Sequence, residues 1–429
     1  MTKKAELEQT EIEASYELPD GWKWERASNF ADIFTGNSIN ENVKKEKYTG
    51  ITEGLNFIGT KDVDFDGTIN YENGVKISDY ENFKTVPSNT PLLCIEGGSA
   101  GKKLGITSEQ VCFGNKLCAF VCKNVEPKLV YYYLQTNAFF YSFMKERHGL
   151  IGGVSVGTLK NIPFPLPPTL AEQQRIVNRI ETMFAKLDQA QEKAQAVLDS
   201  FETRKAAILH KAFTGELTAK WRKEHGVADD SWEEKTIGEI CLVKGGKRVP
   251  KGMSLVKEKN EHPYLKAGNL KLGTVIDKDM EYVPDDVLKI IKNYTVSAGD
   301  VYITNVGACI GDCGIIPDCF DGANLTENAV KLTELQCHNS YLAKLLASNL
   351  VQQQIKSKIK SATLGKLSID NIKQLQINIP SYIEQQEIVR ILDTVLEKES
   401  LAKETAQTVL DQIALLKKSI LARAFRGEL

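Results

Sequence analysis

The feature of this sequence that most constrains its fold is an internal repeat with an offset of 212 residues. Without any gap, 22 of the 49 positions in 169–217 are identical to their counterparts in 381–429. Both copies begin with Glu-Gln-Gln-x-Ile-Val, at Glu172 and at Glu384, and both end with Gly-Glu-Leu. Such a repeat predicts two copies of one structural plan within a single chain.

Each copy of the repeat predicts one long helix. Thr169 and Ser381 stand three positions before a glutamate, which is the pattern of a capping box at a helix N-terminus. No proline or glycine follows until Gly215 and Gly427, which suit left-handed caps at the C-terminal ends. A helix of about 45 residues is about 67 Å long at ~1.5 Å per residue, so it requires a packing partner along its length.

Apolar residues in both predicted helices follow the four-and-three spacing of a coiled coil, interrupted at Arg204 and Glu399. The predicted seam consists of Ile176, Ile180, Met183, Leu187, Ala190, Ala194, Val197 and Phe201 in the first helix, and of Ile388, Leu392, Val395, Ala402, Ala406, Val409 and Ile413 in the second. In an antiparallel pair, Ala190 and Ala194 would face Ala406 and Ala402 at the centre. The alternative is that each helix packs separately on its own domain.

The segments that precede the two helices resemble each other more loosely, and they predict two α+β domains. Short β-prone runs alternate with Gly, Asn and Asp turns, and helical stretches follow near 131–146 and 341–359. The predicted domains are an acidic N-terminal extension over 1–17, a first domain over 18–168, a first long helix over 169–215, a linker over 216–231, a second domain over 232–380 and a second long helix over 381–429. The predicted fold class is therefore α+β, with two domains separated by two long antiparallel helices and related by a pseudo-two-fold repeat.

The composition is that of an ordinary globular chain, with 26% charged residues and a net charge of −2. No apolar run is long enough for a membrane span, and the acidic N-terminus does not resemble a signal peptide. The nine cysteines are therefore expected to be reduced thiols in a cytoplasmic protein. Residues 1–20 carry two lysines against six acidic residues, which leaves the rest of the chain at +2, so any anion-binding surface must be local.

Two similar domains at a fixed spacing suit duplex DNA, because each domain can read one half-site. Local basic and glycine-rich segments favour this interpretation, since Lys and Arg bind phosphates, Arg also binds guanine, and Asn binds adenine. The candidate DNA-binding residues are Lys102, Lys103, Lys145, Arg147 and His148 in the first domain, and Lys244, Lys247, Arg248, Lys251, Asn305, Lys356, Lys358, Lys360 and Lys366 in the second. The alternatives are that the lysine clusters are solvated faces and that asparagines such as Asn115 serve turns.

The sequence contains no recognisable catalytic or metal-binding motif. Gly97–Lys103 lacks the first glycine and the hydroxyl residue of a phosphate-binding loop. Cys309, Cys313 and Cys319 lack the CxxC spacing of a zinc site. We therefore expect no metal, no bound cofactor and no catalytic residue on this chain.

The motifs at the two ends of each long helix are specific. Pro-x-x-x-Glu-Gln-Gln-x-Ile-Val begins each repeat, Ala-Phe-x-Gly-Glu-Leu ends it, and Thr218–Arg222 follows the first copy as Thr-Ala-Lys-Trp-Arg. With its two-copy plan, the chain resembles the DNA-specificity subunit of type I restriction–modification systems over essentially its whole length.

The resemblance implies two target-recognition domains that read a bipartite, asymmetric DNA site. It also implies that the paired helices set the spacing and hold two methyltransferase subunits, and that translocase–nuclease subunits complete the holoenzyme. S-adenosylmethionine, ATP and magnesium would then be bound by those partners, and this chain would not be an enzyme by itself. The competing hypotheses are an assembly scaffold that does not bind DNA, and a methyltransferase or nuclease whose motifs are not recognised.

Overall fold

The computed structural model describes residues 16–147, 152–228, 231–360 and 365–429. The chain divides into two compact units. The first unit extends to Gln195 and includes Gln407–Leu429, and the second unit comprises Ala196–Ala406. Each long helix therefore contributes its N-terminal part to one unit and its C-terminal part to the other. The acidic extension predicted over 1–17 lies almost wholly outside the described residues.

The first unit contains short helices and short strands before the first long helix. Its α-helices are Glu41–Val43, Pro127–Leu134, Asn137–Lys145 and Val156–Asn161, with helical turns at Ala27–Asn29, Lys44–Tyr48, Thr60–Asp62 and Tyr80–Asn82. Its strands are Lys23–Arg26, Ala31–Thr35, Leu55–Ile58, Lys76–Ile77, Thr85–Val86, Pro91–Cys94, Leu104–Ile106, Val111–Phe113, Leu117–Cys122 and Pro163–Leu166.

The second unit repeats this composition. Its α-helices are Ala219–His225, Ile237–Ile240, Asp285–Ile291, Asn339–Leu346, Asn349–Lys360 and Ile369–Lys373, with a helical turn at Asp318–Phe320. Its strands are Glu233–Thr236, Leu242–Gly245, Pro263–Leu265, Leu270–Lys271, Thr274–Val275, Glu281–Tyr282, Val301–Thr304, Cys313–Ile315, Asn324–Leu325, Ala329–Thr333 and Gln376–Ile379.

The two units share one sheet plan. Each has a four-stranded antiparallel sheet, with the order Ala31–Thr35, Leu117–Cys122, Pro91–Cys94, Leu104–Ile106 in the first unit and the order Leu242–Gly245, Ala329–Thr333, Val301–Thr304, Cys313–Ile315 in the second. Each also has one parallel strand pair, which joins Leu55–Ile58 to Val111–Phe113 and Pro263–Leu265 to Asn324–Leu325. The predicted two-copy α+β fold is thus confirmed.

One central strand of each four-stranded sheet, Pro91–Cys94 or Val301–Thr304, is buried on both faces. Successive side chains of a strand point to opposite sides of the sheet, so each face can be followed separately. In Val301–Thr304, Val301 and Ile303 pack in the cluster formed with the helices, whereas Tyr302 packs in a second cluster on the other face. In Pro91–Cys94, Leu93 lies in one cluster and Leu92 in the other. The sheet therefore separates two apolar layers in each unit.

The two long helices are Leu170–Phe213 and Tyr382–Ala424. Their predicted hydroxyl caps are confirmed, because the Glu172 amide donates to Thr169 Oγ1 at 3.2 Å and the Glu384 amide donates to Ser381 Oγ at 3.4 Å. The carboxylate half of the capping box is absent, since Glu172 instead pairs with Arg175. The glycines that follow the helices, Gly215 and Gly427, are left-handed as predicted, with φ of 83° and 72°.

Within each unit the two helix segments run antiparallel. In the first unit, Arg175 Nη2 donates to the Leu429 carbonyl at 2.9 Å and Asp188 pairs with Lys417 at 2.5 Å. In the second unit, Arg204 pairs with Glu399 at 2.9 Å. The two polar residues that interrupt the predicted seams are therefore partners of each other.

The observed register differs from the predicted one. If Ala190 lay opposite Ala406, Asp188 would lie opposite position 408, but its partner is Lys417. With this shift of roughly two helical turns, Lys403 lies over the Phe201 ring. The neighbouring Ala402 is exposed, so the seam prediction is wrong at Ala402. Of the other predicted seam residues, Ile176, Ile180, Ala194, Ile388, Leu392, Ala406 and Ile413 are buried, and Met183, Leu187, Ala190, Val197, Phe201, Val395 and Val409 are half-buried.

The second residue of each Glu-Gln-Gln motif connects the long helix to the domain before it. Gln173 accepts from the Glu126 amide at 2.9 Å and donates to the Pro167 carbonyl at 3.1 Å. Gln385 makes the same pair of bonds, with the His338 amide at 2.8 Å and the Pro380 carbonyl at 2.8 Å. Each glutamine side chain thereby accepts from a backbone amide just before a domain helix, Pro127–Leu134 in the first unit and Asn339–Leu346 in the second. This capping role explains why both copies carry glutamine at this position.

We expect Gln385→Ala to lower the free energy of unfolding by about 1–3 kcal/mol, because it leaves the half-buried His338 amide and the buried Pro380 carbonyl without partners. The matched control is Gln386→Ala, which changes the adjacent exposed glutamine. Urea denaturation of the full chain compares the two variants. Equal stability of Gln385→Ala and Gln386→Ala would contradict the capping role of Gln385.

The linker after the first long helix folds back onto the start of the second long helix. Glu384, which is fully buried, accepts from Thr218 Oγ1 at 2.6 Å, from Arg222 Nη1 at 2.8 Å and from Trp232 Nε1 at 3.1 Å. Thr218 and Arg222 belong to the Thr-Ala-Lys-Trp-Arg segment that follows the first repeat in the sequence. This segment therefore anchors the linker through a buried ion pair.

Candidate nucleic-acid interface

Three candidate residues of the first unit, Lys102, Lys103 and Arg147, lie in the loop over 97–103 or contact it. Lys102 is exposed there, whereas Lys103 Nζ donates to the Thr60 carbonyl at 3.1 Å and lies 5.1 Å from the centre of the Phe65 ring. Arg147 Nη2 donates to the Gly97 carbonyl at 3.2 Å, so the Arg147 side chain holds this loop. Of Lys102, Lys103 and Arg147, Lys102 is therefore the most exposed to solvent.

Lys145 occupies a different cleft of the first unit. It ends the helix Asn137–Lys145 and lines a cleft of about 590 Å³ together with Ser142, Thr158 and Asn161. Hydroxyl, amide and ammonium groups along one cleft are suitable donors to phosphate oxygens. The remaining candidate of this unit, His148, lies outside the described residues.

The candidates of the second unit fall into two groups. The first group lies in the strand Leu242–Gly245 and the loop after it, and it consists of Lys244, paired with Glu334 at 3.3 Å, the exposed Lys247 and Lys251, and Arg248. Lys356, Lys358 and Lys360 form the second group on the last turns of the helix Asn349–Lys360, and the exposed Lys366 follows in the chain. Lysines near a helix C-terminus also complement the helix dipole, so this position is compatible with both a structural and a phosphate-binding role.

Arg248 forms an ion pair on the surface of the second unit. Its side chain is 78% exposed, and its Nε lies 2.5 Å from Glu327 Oε1. Partial burial is the largest single influence on the Glu327 carboxyl and acts to raise its pKa, but the hydrogen bonds from Arg248, the Glu327 backbone and Thr326, with the charge of Arg248, together lower the pKa. The Arg248 guanidinium is therefore oriented by a neighbouring carboxylate while its other donors face outward.

Asn305 does not suit the role predicted for it. Asn305 is buried. Its backbone amide donates to the Asn328 carbonyl at 2.9 Å, and its backbone carbonyl accepts from the Leu367 amide at 3.0 Å. Its Oδ1 has no hydrogen-bond partner among the described residues. Asn305 follows the buried strand Val301–Thr304 and its backbone connects two loops, so its side chain is not presented on the surface.

The structure reveals a basic cleft in the first unit that was not predicted from the sequence. The cleft measures about 310 Å³ and lies where three loops meet after strands Ala31–Thr35, Leu55–Ile58 and Val111–Phe113. Its polar lining is formed by Asn37, Ser38, Glu41, Lys44, Thr60, Lys61, Asn115 and Lys116. These lysines are far apart in sequence, so a search for local charge clusters cannot find them. The sequence similarity between 57–63 and 264–270 was the feature that could have indicated corresponding loops in the two units.

The thiols have no arrangement suited to metal binding in the described part of the chain. Cys309 is half-buried, Cys313 is buried and Cys319 is exposed. Burial raises the pKa of the Cys313 thiol to about 12, which keeps it protonated at neutral pH. No group of three or more His, Cys, Asp or Glu side chains with metal-binding geometry occurs among the described residues. Within the same residues, no helix is both long enough and apolar enough to cross a membrane.

The repeated fold and its paired loops can be compared with known families. The sequence model of the type I restriction modification DNA specificity domain matches residues 19–198 and again 229–411. The chain belongs to this family. Membership agrees with the expectation that a specificity chain is not itself the enzyme, and it supports the predicted two-copy organisation.

Named relatives of this specificity chain are distant in sequence. The EcoKI specificity subunit of Escherichia coli (strain K12) is 24% identical over 302 residues, which cover 65% of this chain and 61% of the relative. The StySPI specificity subunit of Salmonella potsdam is 23% identical over 438 residues, which cover 96% of this chain and 90% of the relative. The EcoBI specificity subunit of Escherichia coli is matched over 60% of its length. The chain thus spans about three fifths of the EcoKI and EcoBI subunits.

Solved structures share the fold of the specificity chain over nearly its whole length. A chain from a structure of complex assembly and conformational transition in the type I R-M system has a TM-score of 0.70 at 17% identity, covering 97% of this chain and 100% of that one. The HsdS subunit from Thermoanaerobacter tengcongensis has a TM-score of 0.65 at 18% identity, with the same coverage. At this identity the likeness concerns the fold.

Proposed function

We propose that this chain is the DNA-recognition subunit of a type I restriction–modification complex and that each unit reads one half of a bipartite, asymmetric site. The observation that carries the proposal is the duplication of one sheet plan in two units whose surface loops differ in sequence. Two copies of one fold present equivalent surfaces, and different side chains on those surfaces select different bases. The half-sites would therefore differ from each other.

The long helices are the proposed spacer. They contain 44 and 43 residues, which corresponds to about 65 Å at ~1.5 Å per residue. Buried apolar side chains and the ion pairs Asp188–Lys417 and Arg204–Glu399 hold their antiparallel segments together within each unit. A stiff spacer fixes the number of unread base pairs between the half-sites.

Methyltransferase subunits are the proposed partners of the helices. Leu415 and Leu416 in the first unit and Leu401 in the second are 66%, 49% and 62% exposed on the long helices. A partner protein that docks on the helices would bury these apolar side chains. Two methyltransferase subunits would bind here, translocase–nuclease subunits would complete the complex, and S-adenosylmethionine, ATP and magnesium would be bound by those chains.

Mapping of methylated bases tests the proposed function. The chain is expressed with its methyltransferase partners in a host that lacks other methylation, and the modified sites are sequenced. We expect one bipartite motif with two different half-sites and a constant gap. A complex that assembles and binds DNA without any sequence preference would contradict the proposal and favour a scaffold.

We expect DNA affinity of the assembled complex to fall by about 10³-fold or more between 50 and 200 mM salt, because phosphate contacts release bound counterions. Replacing Lys356 and Lys360 with alanine should make the salt dependence shallower, by about 0.9 in the log–log slope for each phosphate that is no longer neutralised. Lys289→Ala, which removes an exposed lysine from the helix Asp285–Ile291, is the control. Titrations at four salt concentrations measure the slope, and an identical slope in all variants would exclude these two lysines from the interface.

A further inference from the structure

The three loops that form the basic cleft of the first unit have counterparts in the second unit, and the same backbone bonds connect them. The Asn37 amide donates to the Phe113 carbonyl at 2.9 Å, and the Lys247 amide donates to the Leu325 carbonyl at 2.8 Å. The Gly114 amide donates to the Ile58 carbonyl at 2.9 Å, as the Thr326 amide does to the Leu265 carbonyl at 3.0 Å. We call each set of three loops the loop junction of its unit: 36–38, 59–61 and 114–116 in the first, and 246–248, 266–268 and 326–328 in the second.

Two further features show that the loop junctions share one frame. The Gly59 amide donates to Asp62 Oδ2 at 2.8 Å, and the Lys266 amide donates to Asn269 Oδ1 at 3.2 Å. A Cβ atom on Gly36 would lie 1.9 Å from the Phe113 carbonyl oxygen, and one on Gly246 would lie 2.1 Å from the Thr326 carbonyl oxygen. Only glycine allows such an approach of two backbones, so both loop junctions need it at the same place.

The side chains on this shared frame differ between the units. In the first junction, positions 37, 38 and 115 are Asn, Ser and Asn, and in the second the corresponding positions 247, 248 and 327 are Lys, Arg and Glu. Two domains that recognise different base pairs require the same backbone geometry with different side chains on its surface. The folded core gains nothing from the exchange, because Arg248 and Asn115 are both exposed.

The hydrogen-bonding capacity of these groups indicates which bases they fit. Arginine binds the O6 and N7 acceptors of guanine, and a carboxylate accepts from the N4 amino group of cytosine. Arg248 and Glu327 lie side by side and together offer both functions. In the first unit, Asn37 Oδ1 is already occupied by the Lys84 amide at 2.8 Å, which leaves the exposed Asn115 as the amide suited to the N6 and N7 atoms of adenine.

We propose that the loop junctions are the base-reading surfaces of the two units, with Arg248 and Glu327 reading a G·C pair in one half-site and Asn115 reading an adenine in the other. This inference rests on the proposed function and adds the residues and the base classes to it. Lys61 and Lys116 beside Asn115, and Lys247 beside Arg248, supply cations for the adjoining phosphates.

The test is motif mapping with variants of the full complex. Arg248→Ala should lower discrimination at one G·C position of one half-site by about tenfold or more and leave the other half-site unchanged. Glu327→Gln keeps the size of the side chain and should relax the same position. Lys289→Ala, an exposed cation outside the loop junctions, should leave the motif intact. Thermal unfolding of each complex shows that the variants remain folded.

The first unit is tested in the same way. Asn115→Ala should relax an A·T position in the half-site that Arg248→Ala leaves intact, and Asn82→Ala, another exposed asparagine of the unit, is the control. A combined variant, Ser38→Arg with Asn115→Glu, transfers the outward Arg and Glu of the second unit and keeps Asn37, whose Oδ1 accepts from the Lys84 amide. It should abolish methylation at the original half-site of the first unit.

The outcomes separate this inference from the proposed function. If the unaltered complex yields no bipartite motif, the proposed function fails. If the unaltered complex yields a bipartite motif but Arg248→Ala, Glu327→Gln and the variant that combines Ser38→Arg with Asn115→Glu all retain it, the proposed function stands and the assignment of the loop junctions is overturned. If both Arg248→Ala and Asn115→Ala affect the same half-site, the assignment is overturned as well.

Discussion

Replacing Arg222 with methionine is expected to lower the free energy of unfolding of the second unit by about 3–5 kcal/mol. Glu384 is fully buried, and Arg222 is its only cationic partner among the described residues. Without the guanidinium, a carboxylate would remain in the interior with two neutral donors, Thr218 and Trp232. Removal of one member of a buried pair costs more than the pair contributes, because the remaining charge stays desolvated.

The chain offers a matched control for this prediction in its own repeat. Glu172 occupies the same position of the first Glu-Gln-Gln motif, but it forms an exposed pair with Arg175 one helical turn away. Glu172→Gln should therefore change the free energy of unfolding by less than about 1 kcal/mol. Combining Arg222→Met with Glu384→Leu should restore most of the stability, because no buried charge then remains.

Urea denaturation of the full chain gives the stability changes, and hydrogen exchange locates them. We expect faster exchange in the helix Ala219–His225 of the Arg222→Met variant, because the buried pair anchors this helix. If Arg222→Met costs no more than Glu172→Gln, the ion pair does not hold the linker in place.

The contrast between Glu172 and Glu384 shows how far the sequence could predict this structure. Identity at an offset of 212 residues correctly indicated two long helices with hydroxyl caps and a shared fold. It could not indicate that Glu384 is fully buried whereas Glu172 is only half-buried. Burial depends on Thr218, Arg222 and Trp232, which contact the second copy of the motif and lie outside the repeat.

The helix register was mispredicted for a related reason. A coiled-coil seam constrains which face of a helix is buried, but shifts by a whole heptad preserve the apolar pattern. Pairing Ala190 with Ala406 by size ignored the polar residues, whereas Arg204 with Glu399 and Asp188 with Lys417 favour the observed register. Matching the two interruptions of the seam to each other would have predicted it.

Candidate base-reading residues were the least predictable part. Charge clusters in the sequence led to Lys103 and Arg147, whose side chains bond to nearby carbonyls, and the pairing of asparagine with adenine led to Asn305, which is buried. The loop junctions assemble residues from three separate loops, and only the strand pairing brings them together. Tertiary structure is needed to recognise such a surface.

Inserting seven residues into each long helix at the boundary between the units is expected to change the gap of the recognised site and leave both half-sites intact. The boundary lies after Gln195 in the first helix and before Gln407 in the second. A heptad preserves the apolar seam, so the helices should still pack. Seven residues add about 10 Å at ~1.5 Å each, which corresponds to an increase of up to about three base pairs at ~3.4 Å per base pair.

The control for this insertion is a four-residue insertion at the same two places. Four residues rotate the apolar face of each helix by about 40° relative to the rest of its seam, because each residue advances about 100° around the helix axis. We expect this variant to lose methylation and thermal stability, whereas the heptad variant keeps both. Motif mapping of the two complexes measures the gap between the half-sites. If the helices hold the half-sites apart, the half-sites must separate when the helices lengthen. A heptad variant that methylates sites with the original gap would therefore show that the helices do not set the spacing.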